Sequence, residues 1–151
     1  MRSIAIDLGD KRTGIAVGDS VTRRALPLKV VEVSISERGG AALVEALARE
    51  VGEIVEAREA CVLVVGLPLN MDGTEGPRAV GVRAFSQRLG AACGREIVFQ
   101  DERLTSAQAD WDMARSGLTH AQKKARRDAL AAAALLQDYL DGTVGGAAGG
   151  R

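Results

Sequence analysis

The chain has 151 residues and equal numbers of basic and acidic side chains, 20 Lys and Arg against 20 Asp and Glu. This length suits one ordinary domain with its own core, and the neutral balance excludes a globally basic surface, so that a nucleic-acid partner would need a local patch. The two cysteines, Cys61 and Cys93, have no second Cys or His at metal-ligand spacing, which excludes a typical zinc site and favours reduced core thiols.

The beginning of the chain predicts a three-stranded meander. Apolar, β-branched runs cover residues 3–8, 13–18 and 28–34, and the turn-like segments GDKRT and TRRALP separate them. Asp7 lies near the end of the first strand, where an ionised carboxylate is costly to desolvate unless a cation or a water-filled cleft accompanies it. This acid is therefore the first candidate functional residue.

The middle of the chain alternates helices and strands. From Ser36 to about Ala57, apolar residues recur at helical spacing among Glu and Arg, which predicts an amphipathic helix over a sheet. Residues 61–66 are continuously apolar, as in a strand buried on both faces, and a loop rich in Gly, Pro, Asn and Asp follows them. A second helix then leads to a fifth strand at residues 96–100.

Two capping-box patterns predict two further helices. Thr105 and Gln108 have the spacing of a helix start, and Gly117 stops that helix. Thr119 and Gln122 repeat the pattern at the start of a last, alanine-rich helix that begins at His120, and Gly142 is expected to end it.

The order of these elements predicts the fold class. We expect an α/β fold with a mixed five-stranded sheet and helices on both faces, formed as a single domain by residues 1–141. The Gly-rich residues 142–151 are expected to be disordered. Because the N-terminus has no signal-peptide pattern and no apolar run approaches the roughly 20 residues that span a bilayer, we expect a cytoplasmic protein with no membrane partner.

Three acids stand where structure alone would not select them: Asp7, Glu102 just past the fifth strand, and Asp128 inside the alanine-rich helix. Asp128 shares a helix face with apolar residues and lies too deep in the helix to cap it. Each acid has a structural alternative, because Asp7 could pair with Lys11 or Arg12, and the other two with neighbouring arginines. Together, acids at strand ends and on a covering helix can converge on hard divalent cations, and two such ions can promote phosphodiester cleavage.

Four sequence blocks resemble those of a known family, the YqgF-like (RuvX-like) branch of the Holliday junction resolvase and ribonuclease H-like superfamily. The blocks are DLGDKRTGIAVGD, VVGLPLNMDGTEGPRA, DERLTSAQA and RRDALAAAALLQDYL. The resemblance implies a ribonuclease H-like fold and a nuclease that uses Mg²⁺ or Mn²⁺, with two ions expected. The family is described both as maturing the 5′ end of pre-16S ribosomal RNA and as resolving Holliday junctions, so RNA and branched DNA are both expected partners.

The resemblance also implies roles for individual residues. Asp7, Glu102 and Asp128 match the acidic triad, as catalytic residues and metal ligands, and the other site-lining positions are Lys11, Arg12, Asn70 and Arg103. The basic residues could hold phosphates, and Arg78 and Arg83 join them on position alone. The cluster beside Asp128, formed by Lys123, Lys124, Arg126 and Arg127, is interpreted as nucleic-acid-binding, with a solvated helix surface as the alternative.

Two other functions remain open at this point. A non-catalytic RNA-binding assembly factor would keep the basic surfaces and use the acids for structure only. An actin-like ATPase fragment would also begin with Asp-x-Gly before a hairpin, although that fold normally pairs two such domains around its nucleotide. The sequence leaves the natural substrate, the preferred metal and the oligomeric state open.

Overall fold

The structure, a computed structural model, describes residues 1–102 and 119–142, and gives residues 120–125 as backbone only. Within these ranges the elements, in chain order, are β1 Arg2–Asp7, β2 Thr13–Asp19, β3 Arg24–Val31, α1 Ala41–Ile54, β4 Cys61–Leu67, α2 Pro77–Cys93, β5 Glu96–Asp101 and α3 His120–Gly142. A single 3₁₀ turn, Glu37–Gly40, precedes α1.

The five strands form one sheet in the order β3-β2-β1-β4-β5. The β1–β2 and β2–β3 pairs are antiparallel, whereas the β1–β4 and β4–β5 pairs are parallel. The predicted mixed five-stranded sheet is therefore confirmed. Asp7 ends the central strand, as expected, and no part of its strand lies at a sheet edge.

Helices cover both faces of the sheet because successive side chains of each strand point to opposite sides. Ile4 and Ile6 of β1 belong to the core cluster that includes buried residues of α1 and α2. Ala5, between them, packs in a second cluster with α3, and Asp7 follows on that same side. Every residue of β4 is buried, which agrees with its unbroken apolar sequence.

Small residues let α3 lie very close to the sheet. Ala5 and Ala16 pack against Ala132 in the cluster beneath the helix. A Cβ placed on Gly14 would lie 1.9 Å from the backbone oxygen of Asp128, a distance that no real side chain could occupy. The missing side chain at Gly14 therefore fixes the height of Asp128 above the sheet.

Two element boundaries differ from those expected from sequence. The third strand runs from Arg24 to Val31 rather than over 28–34, and it tolerates Pro27 because β3 is an edge strand. Helix α1 begins at Ala41 rather than near Ser36, since residues 38–40 all have positive φ, which is incompatible with a right-handed helix.

The last helix begins and ends where the sequence predicted, at His120 and Gly142. The helix expected between Thr105 and Gly117 and the tail after Gly142 lie outside the described residues. Cys61 is buried, Cys93 is partly buried, and both are free thiols, as expected. Among the helices of the described ranges, none has the length and apolarity needed to cross a membrane.

Candidate active site

The carboxyl groups of Asp7 and Glu102 are in hydrogen-bonding contact, although β4 lies between their strands. Glu102 extends the pairing of β5 with β4, since its backbone N–H donates to the carbonyl of Leu67 at 3.4 Å. A Cβ on Gly66 of β4 would lie 2.9 Å from Oε2 of Glu102. The glutamate side chain therefore crosses β4 over a position that has no side chain, and reaches Asp7 on the central strand.

The contact changes the acidity of both groups. The pKa of Asp7 is raised from 3.8 to about 8, first by burial and then by the negative charge of Glu102, the hydrogen bond to it and the charge of Asp128. Burial also raises the pKa of Glu102, while its hydrogen bond with Asp7 opposes that change. Burial and contact therefore favour a protonated state of the pair over two ionised carboxylates.

Asp128 lies beside this pair, on the helix that covers it. Gly14 is opposite Asp7 in the β1–β2 register, and the backbone of Asp128 lies directly against Gly14. The Asp128 carboxylate forms an ion pair with Arg12, with 3.3 Å between Nε and Oδ2. The structure thus brings all three predicted acids to one end of the sheet, where β1 and β5 end.

The three acids do not form a ready-made ion cage. In the part of the chain that the structure describes, no group of three Asp, Glu, His or Cys side chains is close enough to hold one metal ion. Asp7 and Glu102 face each other, whereas Asp128 is bound to Arg12. Arg12 therefore pairs with Asp128 and not with Asp7, because the turn after β1 carries its guanidinium toward α3.

The turn between β1 and β2 is held in a fixed shape. A Cβ on Gly9 would lie 2.4 Å from the Arg12 carbonyl oxygen, so that only glycine permits this tight turn. The backbone N–H of Ile35 donates to the carbonyl of Asp10 at 3.0 Å. Lys11 and Arg12 at the tip of the turn are exposed, and the turn begins directly after the strand that ends in Asp7.

Arg78 of α2 connects this turn to the acids. It donates to the carbonyl of Leu8 at 3.3 Å and to the carboxylate of Asp10 at 3.2 Å, and its positive charge lowers the pKa of both Asp7 and Glu102. The sequence suggested Arg78 only as one of several arginines after strand ends. Its specific contacts depend on α2 beginning at Pro77, beside the turn.

Other predicted phosphate-binding residues have different surroundings. Arg83 forms a two-point ion pair with Glu75, at 2.8 and 2.7 Å, and stacks over Phe99, so its guanidinium is already occupied. Asn70 donates to Thr74 at 3.0 Å and ties the loop after β4. Its predicted role in substrate binding stays a prediction.

The rest of the predicted basic set is only partly described. Arg103 lies outside the described residues. Lys123 and Lys124 are placed on the first turns of α3 by their backbone, and Arg126 is exposed on the same helix. Their part in nucleic-acid binding stays a prediction.

The close approach at Gly14 can be tested by adding one methyl group. Gly14→Ala should lower the free energy of unfolding by about 3 kcal/mol or more, because a backbone oxygen of α3 blocks the Cβ. Gly52→Ala is the matched control, since nothing lies within 4 Å of a Cβ there in helix α1, and it should stabilise by about 0.5–1 kcal/mol. Urea unfolding measures both, and equal effects of the two substitutions would disprove the tight seating of α3.

Comparisons with known proteins show the family of the chain. A family model described as RuvX, Holliday junction resolvase, matches residues 1–142. A protein of Anaeromyxobacter dehalogenans named "Putative pre-16S rRNA nuclease" is 42% identical over 141 residues, which are 93% of this chain and 97% of that protein. A Lactococcus lactis protein of the same name is 34% identical over 140 residues, which are 93% of this chain and 94% of that one.

Two solved structures share the fold. The Fowlpox virus resolvase, in complex with Holliday junction DNA, matches with a TM-score of 0.59 and 11% identity over 95% of this chain and 99% of that chain. The RuvC protein of T. thermophilus, in complex with a Holliday junction substrate, has a TM-score of 0.55 and 17% identity, with 96% of each chain covered. The expected ribonuclease H-like fold is confirmed by these neighbours.

Proposed function

Because the chain belongs to the RuvX family, we propose that it is a metal-dependent endonuclease that hydrolyses phosphodiester bonds in structured nucleic acid. The single observation that carries the proposal is the contact between Asp7 and Glu102. Two carboxyl groups held in contact at the partly buried end of a sheet destabilise the fold unless a proton or a cation lies between them. A site that keeps such a pair is expected to use it.

The donor set fits Mg²⁺ or Mn²⁺. Both ions prefer carboxylate oxygens, and a cation between Asp7 and Glu102 would neutralise the two charges whose contact raises the pKa of Asp7. Asp7 and Glu102 would hold the ion, and Asp128 would join them. When bound, one or two such ions supply an activated water and stabilise the leaving oxygen of a phosphodiester.

The surrounding cations would bind and orient the substrate. Lys11 and Arg12 are exposed on the turn next to the acids, and Arg78 reaches the same turn from α2. Positive groups around a carboxylate pair can hold the phosphates on either side of the bond to be cut. Contacts of this kind read backbone and shape rather than base sequence.

The substrate proposed first is precursor 16S ribosomal RNA, cut at its 5′ end. The names of the relatives at 34–42% identity support this choice. A four-way DNA junction is the second candidate, and the description of the matching family model favours it. Both substrates offer the same phosphodiester chemistry to one site, so only their geometry separates them.

A cleavage panel tests the proposal. End-labelled RNA with a 5′-extended 16S leader, and a labelled four-way DNA junction, are each incubated with the protein in Mg²⁺, in Mn²⁺ or in EDTA. We expect cleavage of at least one substrate in metal and none in EDTA, with loss of cleavage in Asp7→Asn. Asp19→Asn is the matched control, since Asp19 ends β2 at the opposite end of the sheet. Tight binding of RNA with no cleavage in either metal would instead favour a non-catalytic assembly factor.

Lys11 provides a separate test of binding. Lys11→Ala should weaken nucleic-acid binding by a similar factor for all sequences and reduce the salt dependence of the affinity by about one counterion, because the side chain would contact a phosphate. Arg58→Ala, an exposed cation beyond α1, is the control and should leave both unchanged. Fluorescence anisotropy across a salt series measures the slopes, and a loss confined to one sequence would show base recognition instead.

A further inference from the structure

We propose that Arg12 is a positioning residue that holds the Asp128 carboxylate away from the metal site until a substrate phosphate binds the Arg12 guanidinium. The proposal rests on the proposed function, because it concerns how the same site becomes complete. Arg12 and Asp128 form an ion pair, with 3.3 Å between Nε and Oδ2, whereas Asp7 and Glu102 form a hydrogen bond with each other. The acids are thus divided between two separate contacts.

The close packing of α3 leaves the side chain of Asp128 free to change conformation but not its backbone. Its backbone is fixed against Gly14, which is opposite Asp7 in the β1–β2 register. Asp128 lies near enough to Asp7 for its charge to help raise the pKa of Asp7. Its carboxylate nevertheless pairs with Arg12 on the β1–β2 turn. A change of side-chain conformation is sufficient to release it, with no movement of α3.

The strength of the ion pair suits a contact that substrate can break. The side chains of Arg12 and Asp128 are 46% and 31% exposed, and partly exposed pairs of this kind contribute little because water screens them. A phosphate offers arginine a more highly charged, two-point partner. A substrate phosphate should therefore bind Arg12 more strongly than Asp128 does, and the released Asp128 carboxylate can then bind the metal ion.

The arrangement couples two binding events. Binding of a phosphate at Arg12 frees a ligand for the metal, and binding of the metal by Asp128 frees Arg12 for a phosphate. The two must then assist each other by the same factor. In the absence of substrate, the site binds metal through Asp7 and Glu102 with reduced affinity, which limits hydrolysis on wrong partners.

Mn²⁺ binding to four proteins tests the first half of this coupling. Calorimetry is done without nucleic acid on the parent, Arg12→Ala, Asp128→Asn and the double variant. Arg12→Ala should bind Mn²⁺ about two- to fivefold more tightly than the parent, the range expected for loss of a partly exposed ion pair. In the Asp128→Asn background the same substitution should give no more than the smaller gain expected from the loss of one nearby positive charge. Lys11→Ala removes the same charge from the neighbouring residue, and should give a smaller gain than Arg12→Ala.

Binding of a labelled RNA hairpin in EDTA tests the second half with the same four proteins and no cleavage. Asp128→Asn should tighten RNA binding about two- to fivefold in the parent background, because it frees Arg12. It should have no such effect when Arg12 is Ala. Circular dichroism confirms that each variant is folded.

The outcomes separate this proposal from the proposed function. Equal gains in Mn²⁺ affinity for Arg12→Ala and Lys11→Ala, or a gain from Arg12→Ala that is equally large in the Asp128→Asn background, would overturn the positioning role and leave the metal site intact. If the parent does not bind Mn²⁺, or if Asp7→Asn leaves Mn²⁺ binding unchanged, both the positioning role of Arg12 and the proposed metal-dependent function are overturned.

Discussion

Asp7→Asn should make the protein more stable above about pH 8 while it removes metal-dependent cleavage. In the folded parent Asp7 keeps its proton up to a pKa of about 8, whereas the unfolded chain releases it near 3.8. Between these values the folded state binds more protons, so the free energy of unfolding contributed by this group falls as the pH rises, and it levels off above about 8. Asparagine cannot ionise and avoids this loss.

The expected gain is largest at high pH and absent in acid. Above about pH 8, and without divalent cations, the variant should be more stable than the parent by about 1–3 kcal/mol, after allowance for the water that reaches this partly exposed edge. Well below the unfolded-state pKa of 3.8 the two proteins should be equally stable, since the Asp7 carboxyl group is then protonated in both states. Urea unfolding across this pH range measures the difference.

The control for this substitution is Asp19→Asn. Asp19 also lies at a strand end and accepts a backbone hydrogen bond from Val21 at 2.7 Å, but it lies away from the acidic pair, at the opposite end of β2. This substitution removes a carboxylate at a strand end without changing the acidic pair. A variant Asp7→Asn that is less stable than the parent at every pH would show that this carboxyl group is a structural member of the fold rather than a strained functional one.

Mg²⁺ or Mn²⁺ should raise the melting temperature of the parent by roughly 5–10 °C when present at about 100 times its dissociation constant. The ion binds the paired carboxylates of the folded state, and this pair does not exist in the unfolded chain. Because it must displace the proton on Asp7, the stabilisation should increase as the pH rises toward about 8. Calorimetric melting with matched ionic strength measures the shift.

Variants of the pair identify where the ion acts. Asp7→Asn and Glu102→Gln should each remove most of the metal-dependent shift, whereas Asp19→Asn should retain it. Asp128→Asn should remove less of it in the absence of nucleic acid, since Asp128 is then engaged with Arg12. An unchanged melting temperature of the parent in saturating metal would contradict the assignment of the carboxyl pair to cation binding.

Much of the fold could be predicted from the sequence because its patterns are local. The unbroken apolar run of β4 and the acid at the end of β1 are visible without any tertiary information. The edges of β3 and α1 could not be placed, because positive φ at Arg38 and the tolerance of Pro27 at a sheet edge depend on the folded context. Such boundaries are decided by neighbouring elements rather than by the segment itself.

The site was predictable as a set of acids but not as an arrangement. The resemblance of four sequence blocks named Asp7, Glu102 and Asp128 before any geometry was available. That Glu102 reaches Asp7 over Gly66 follows from strand order and register, which the sequence does not display. The pairing of Arg12 with Asp128 likewise depends on how closely α3 lies over β2, and no spacing rule would have found it.

Joint binding of a divalent cation by Asp7 and Glu102 can be tested with crystals soaked in Mn²⁺. Anomalous scattering locates manganese without reference to the surrounding chain. We expect an anomalous peak between the two carboxyl groups, about 2.0–2.3 Å from an oxygen of each, and the loss of that peak in Asp7→Asn crystals. A peak only at other carboxylates, such as Asp72, or a peak that persists in Asp7→Asn, would contradict it.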